Sequence, residues 1–252
     1  MKTIVIFNQK GGVGKTSTVV NLMAELTKQG KKVLAFDLDG QGNLTKFLKV
    51  PTEDKNTVRE LLLKEASFIE TVQKTQYGDV VPADEALQGE LLRFASMPAF
   101  ILSIKNIIKN LSGYDVVLMD CAPSPNQITV ASLVAADYTI IPTEAEYFSA
   151  DGVAKLYNTI EQVKQLNEDL KVLGLLIVKY NGRRSLTSHI ETVLNDAAKN
   201  VFKSKVFKTR ISFTVDIPSS QAMHLSVYDY KPKSKASIDY KNLTNEILED
   251  IK

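Results

Sequence analysis

Hydrophobic and polar positions follow two rhythms along this chain. Short, near-continuous apolar runs rich in β-branched residues predict buried strands at TIVIF (3–7), KVLAFDLD (32–39), YDVVLMD (114–120), DYTIIP (137–142) and KVLGLLIVKYN (171–181). Between them, apolar residues at helical spacing predict helices over 16–29, stopped by Gly30, over 57–64, and over 148–167, 185–199 and 234–250. Strands buried on both faces and alternating with helices predict an α/β fold. The expectation is one doubly wound domain over residues 1–252, a mostly parallel sheet with helices on both faces. No stretch reads as a repeat, a low-complexity segment or a domain linker.

Ligands of open α/β sheets sit beyond the carboxyl ends of the strands. The polar residues fall there: Lys10 to Thr16 after the first strand, Asp37 and Asp39 at the end of the second, Asp120 and Asn181 at the ends of two others. Composition adds exclusions. A net charge of +2 announces no polyanion partner, so such a signal must come from local clustering. One cysteine, Cys121, rules out an intramolecular disulfide and a CxxC metal site, and reads as a small buried hydrophobe. The apolar start, MKTIVIFNQ, is too short for a signal-peptide core, and no run approaches the roughly 20 apolar residues of a membrane span. The expectation is a cytosolic protein.

The stretch NQKGGVGKTS (8–17) joins a strand to a helix through a glycine-rich turn, the context of a phosphate-binding loop. Gly11, Gly12, Val13 and Gly14 would present backbone N–H groups to phosphate oxygens, at the positive end of the following helix. Lys15 would reach the β- and γ-phosphates, the Thr16 hydroxyl would ligate Mg²⁺, and Ser17 closes the binding stretch. The usual GxxxxGK[ST] wants glycine at position 9, where Gln9 stands, so this is a KGGxGKT variant with a second lysine, Lys10, at its entrance. On residue type alone Lys10 could equally be a solvated loop lysine.

KGGVGKTS resembles the deviant Walker A box of the ParA/MinD family of P-loop ATPases. Two further segments resemble that family: FDLDGQGNLT (36–45) its DxDPQGNxT switch, and VVLMDCAPS (116–124) its hhhDxxPS Walker B segment. YDYKPKSKASIDYKNLTNEIL (228–248) is similar to the family's closing segment. The resemblance implies ATP and Mg²⁺ as cofactors and a homodimer formed on ATP, with Lys10 reaching the nucleotide of the other subunit. It further implies that Asp39 positions or activates the attacking water, that Asp37 supports the Mg²⁺ shell and that Asp120 stands beside Mg²⁺, normally through water. Gly40 replaces the family's proline, which predicts a looser switch loop. Asn181 and Pro218 (in TVDIPSSQA, 214–222) are the adenine-pocket candidates, although an Asn-Gly turn and a loop proline explain the same letters.

Basic residues gather late. KNVFKSKVFKTR (199–210) holds Lys199, Lys203, Lys205, Lys208 and Arg210 with no acid; YKPKSKAS (230–237) adds Lys233 and Lys235, and Arg183 and Arg184 form a pair. Such groups would give salt-sensitive binding to nonspecific double-stranded DNA, and a solvated lysine face is the plain alternative. The resemblance implies a cytoplasmic, nucleoid-associated partitioning ATPase with slow intrinsic turnover, stimulated by a ParB-type centromere-binding partner. The chain opens directly on its first strand, so an N-terminal operator-binding extension and self-repression are not expected. A membrane-cycling MinD-like role needs a basic amphipathic tail, whereas NLTNEILEDIK (242–252) carries three acids and one lysine. An iron–sulfur relative would need more cysteine, and a non-hydrolysing nucleotide-gated adaptor stays open.

Overall fold

The computed structural model describes residues 1–144, 150–181 and 187–252. Its strands are β1 (Lys2–Ile6), β2 (Val33–Leu38), β3 (Gln73–Thr75), β4 (Gly78–Val81), β5 (Val116–Cys121), β6 (Tyr138–Glu144) and β7 (Lys171–Val178). They form one sheet in the order β3-β4-β2-β5-β1-β6-β7. Every pairing is parallel except the β3–β4 edge, which is antiparallel. The five strands expected from apolar runs form the contiguous run β2-β5-β1-β6-β7. The β3–β4 hairpin was not expected, since three- and four-residue strands carry no readable periodicity.

The helices are α1 (Lys15–Lys28), α2 (Asn43–Phe47), α3 (Val58–Leu63), α4 (Phe68–Thr71), α5 (Ala86–Gly89), α6 (Leu91–Ser96), α7 (Ser103–Lys109), α8 (Gln127–Ala135), α9 (Ala150–Lys164), α10 (Thr187–Asp196), α11 (Asp216–Ala222), α12 (Val227–Tyr230) and α13 (Lys235–Asp250). Alternate strand residues feed two cores. Val5, Phe36, Met119 and Ile141 pack with α3 and α5 to α10 on one face. Ile4, Ile6, Ala35 and Leu118 pack with α1, α12 and α13 on the other. The sheet is therefore covered on both sides, the reason its strands read as unbroken apolar runs. The α3 start is fixed by a capping box, Thr57 with Glu60. No helix among the described residues is long and apolar enough to cross a membrane.

The late basic run has a structural task. Residues 205–213 lie along the open edge of β7: the Leu175 N–H donates to the Lys205 carbonyl, Phe207 N–H to Leu175, and Ile211 N–H to Ile177. Phe207 and Ile211 are buried beneath, and Gly174 makes room, since a Cβ there would lie 2.5 Å from the Phe207 ring. Lysines on a segment that closes a sheet edge also discourage pairing with another chain.

Candidate nucleotide site

Parallel pairing sets the carboxyl ends of β2, β5 and β1 side by side. Asp37 of β2 is in register with Asp120 of β5, and Ile6 of β1 with the same Asp120. The loop leaving β1 then passes directly over both carboxylates. Gly12 and Gly14 have φ of 74° and 75°, a region that β-carbons disfavour, so glycine is required at both. A Cβ built on Gly11, Gly12 or Gly14 meets no atom within 4 Å, so the loop borders open space. It opens onto a cleft of about 720 Å³ whose walls include Thr16, Asp39, Asn43, Ser124 and His224.

Lys15 is 8% exposed and folds back over the loop, its Nζ donating to the carbonyls of Asn8 (3.1 Å) and Lys10 (3.0 Å). Burial lowers its pKa, opposed first by the nearby Asp120 carboxylate. The Thr16 hydroxyl donates to Asp120 Oδ2 at 2.7 Å, while Asp120 Oδ1 is buried with no hydrogen-bond partner among the described residues. Burial and the adjacent Asp37 push the Asp120 carboxyl up to about 8. A buried, unmatched carboxylate oxygen is costly unless a cation completes it. Set beside a threonine hydroxyl below an open glycine loop, it fits a hard divalent cation carried by a phosphate, with oxygen donors only. Among the described residues there is no cluster of three or more histidine, cysteine or carboxylate groups that could hold a metal ion.

Asp37 lies buried beneath the switch loop. Its Oδ2 accepts from the Thr45 N–H (2.9 Å) and the Thr45 hydroxyl (2.7 Å), and its Oδ1 from the Asp39 N–H (3.3 Å). Fully buried, it is pushed up to about 6 by desolvation, against those hydrogen bonds. Its oxygens hold the switch loop in place, which leaves Asp120 as the carboxylate with an open oxygen. Asp39 faces the cleft, its Oδ1 accepting from the Gln41 N–H at 3.0 Å. Gly40, expected to loosen this loop, is buried and pressed against Gln88.

Lys10 stands at the mouth of the loop, 41% exposed, with Nζ 3.6 Å from Glu144, which also binds Lys179 at 2.6 Å. Asn181 and Pro218 are both exposed, and neither lines the cleft. Gln88, Gln221 and His224 also line the cleft, and no motif announces them. Gln221 donates to the Ser17 hydroxyl at 2.6 Å, and His224 packs at 6.3 Å from Phe47 with its Nδ1 3.0 Å from the Lys46 carbonyl. Gln221 and Ser17 are 204 residues apart in sequence, so no local pattern announces the pair.

The basic residues divide. Lys205 pairs with Glu246 (3.3 Å) and Asp250 (2.6 Å), Arg210 with Glu191 (2.8 Å), and Lys235 with Asp239 (3.1 Å). Lys199, Lys203, Lys208 and Lys233 are exposed and have no carboxylate partner among the described residues. Arg183 and Arg184 lie outside the described residues.

Sheet order, glycine loop and carboxylate pair define a P-loop nucleotide-binding α/β protein. Comparison with known proteins narrows the class. A family model described as an AAA domain matches residues 1–172. The chain is 34% identical over 251 residues, 98% of each chain, to the sporulation initiation inhibitor protein Soj of Bacillus subtilis. It is 35% identical over 249 residues, 98% of this chain and 96% of the relative, to the chromosome-partitioning ATPase Soj of Thermus thermophilus. Among solved structures it is similar to cobyrinic acid a,c-diamide synthase from Mycobacterium smegmatis with bound ADP and magnesium, with a TM-score of 0.84 and 31% identity over 99% of this chain and 94% of that one. The chain belongs to the ParA/MinD-type family of P-loop ATPases.

Proposed function

We propose that this protein is an Mg²⁺-dependent ATPase of DNA partitioning, serving a plasmid or a chromosome region in the cytoplasm. One observation carries the reading: the open Asp120 oxygen beside the Thr16 hydroxyl, beneath a glycine loop that borders empty space. The similar proteins named as a chromosome-partitioning ATPase and as an ADP–magnesium complex support it.

In this reading Gly11 to Gly14 cradle the phosphates and Lys15 exchanges its two carbonyl partners for phosphate oxygens. Thr16 and Asp120 would hold Mg²⁺, which offsets charge on the terminal phosphates when bound. Asp39, on a loop pinned by Asp37 and Thr45, accepts a hydrogen bond from the attacking water. Phosphoryl transfer needs mainly positioning and charge neutralisation, so a carboxylate with weak base character gives slow turnover alone. Lys10 leaves Glu144 and reaches the terminal phosphate of a second copy, which makes ATP part of the dimer contact. The dimer binds nonspecific DNA through Lys199, Lys203, Lys208 and Lys233. A ParB-type partner bound at a centromere speeds hydrolysis and so releases the DNA.

A salt-titrated DNA-binding assay with ATP, ADP and no nucleotide tests this. DNA binding that needs ATP and weakens steeply with salt is the expected result. Equal DNA binding in all three conditions would refute it.

A further inference from the structure

The segment leaving β4 was silent in the sequence, yet it forms the outer wall of the switch loop. The Ala83 N–H donates to the Thr45 hydroxyl at 2.9 Å, and that hydroxyl in turn donates to Asp37. Gly42, with φ of 61°, brings the loop so close that a Cβ would lie 2.9 Å from the Ala83 carbonyl. Gly40 is tighter still: a Cβ there would lie 2.4 Å from Gln88 Cγ and 3.2 Å from the Gln88 nitrogen. Proline, the residue of the DxDPQGNxT pattern at this position, would collide with Gln88. Glycine 40 and glutamine 88 are therefore a matched pair.

The glutamine is held by its neighbours rather than by its own head group. Leu87 is 1% exposed within the core. Glu90 accepts from Arg59 Nε (3.1 Å) and Nη2 (2.9 Å). Gln88 itself lines the nucleotide cleft together with Asp39 and Ser124. Its carboxamide makes no hydrogen bond among the described residues. A polar head group placed at a cleft wall by a rigid backbone, with both its donor and its acceptor unused, can hold a water molecule.

We propose that Gln88 is an additional residue of the hydrolytic site, its carboxamide holding the attacking water beside Asp39, admitted there by the glycine at position 40. The inference rests on the ATPase reading above. Gln88 Oε1 accepts one water hydrogen and Asp39 the other, which turns a water lone pair toward the terminal phosphorus. As the new O–P bond forms, the P–O bond to the ADP oxygen breaks and its electron pair leaves with ADP. The water's proton ends on the released phosphate.

Single-turnover hydrolysis of Mg²⁺–ATP by the full-length protein, read beside ATP affinity, tests this. Gln88→Ala should lower the hydrolysis rate about tenfold or more while ATP affinity stays within about twofold. Gly40→Ala should displace the glutamine and lower the rate similarly, and the Gly40→Ala/Gln88→Ala double variant should lose no more than Gln88→Ala alone. Gln88 is exposed, so its truncation leaves the core intact. A Gln88→Ala rate within about twofold of wild type would overturn the proposal, as would additive losses in the double variant. A proportional loss of affinity and rate would mark Gln88 as structural and overturn it too. Absence of hydrolysis by the wild-type protein would remove the ATPase reading, and this inference with it.

Discussion

The phosphate loop and the late basic segments are both regions of concentrated charge in the sequence, and the fold treats them differently. At the loop it gathers charge and leaves it incompletely matched: Asp120 keeps a buried oxygen without a partner, and Lys15 makes do with two carbonyls. In the basic segments it matches part of the charge on the surface and leaves Lys199, Lys203, Lys208 and Lys233 exposed. Lys205, Arg210 and Lys235 each meet a carboxylate, and both partners of Lys205, Glu246 and Asp250, come from α13 some forty residues downstream. A run without acids in sequence need not be a run without acids in space. A loop whose function is set by local backbone geometry stays legible in sequence; a surface whose charge is set by tertiary neighbours does not.

The comparison can be broken most sharply at Lys15. Lys15→Ala should reduce ATP affinity at least about a hundredfold, because a charge-assisted contact inside a buried loop is lost. Calorimetric titration with ATP reads this directly, and an unchanged affinity would contradict it.

Asp120 sharpens the same side through pH. Its carboxyl is raised from 3.8 to about 8, so between those values the folded protein keeps a proton that the unfolded chain has released. Stability of the ligand-free protein should therefore fall as pH rises from about 4 to about 8, then level off. Asp37, raised from 3.8 to about 6, adds to the lower part of that slope. Asp120→Asn should flatten the decline, and Mg²⁺–ATP, which favours the carboxylate anion, should raise stability most above pH 8. Thermal unfolding from acid to alkaline pH, with and without Mg²⁺–ATP, checks the sign. A wild-type profile that rises over this range would contradict it.

On the basic side, replacing Lys199, Lys203, Lys208 and Lys233 with alanine should weaken ATP-dependent DNA binding. The salt slope should fall by about 0.9 for each phosphate contact removed. The same replacements at Lys205, Arg210 and Lys235 should change the slope much less, since those charges already have partners. Equal effects of the two sets, measured by binding at several salt concentrations, would erase the distinction. The smallest effect is on stability: Lys205→Ala, at a pair with the lysine 40% exposed, should cost less than about 1 kcal/mol in denaturant unfolding.

The central sheet was legible because parallel strands buried on both faces leave unbroken apolar runs, as in VVLMDC. The glycine loop was legible because Gly12 and Gly14 answer a backbone requirement that only glycine meets cheaply. The β3–β4 hairpin and α5 were too short to show a period. The hydrogen bond between Asp37 and Thr45 was not legible, because Thr45 is brought back by a turn eight residues on, through Gly42 at positive φ. Gln88, Gln221 and His224 entered the cleft through contacts between distant segments, and an isolated glutamine or histidine carries no spacing to read. Gly40 was read as freedom for the loop, whereas its missing side chain is space taken by Gln88.

If assembly depends on a lysine donated across two copies of the chain, molecular mass measured with ATP will show it. Light scattering should show wild type doubling its mass on Mg²⁺–ATP and not on Mg²⁺–ADP. Lys10→Ala should bind ATP and keep the mass of a single chain. A Lys10→Ala protein that dimerises on ATP as wild type does would contradict the account.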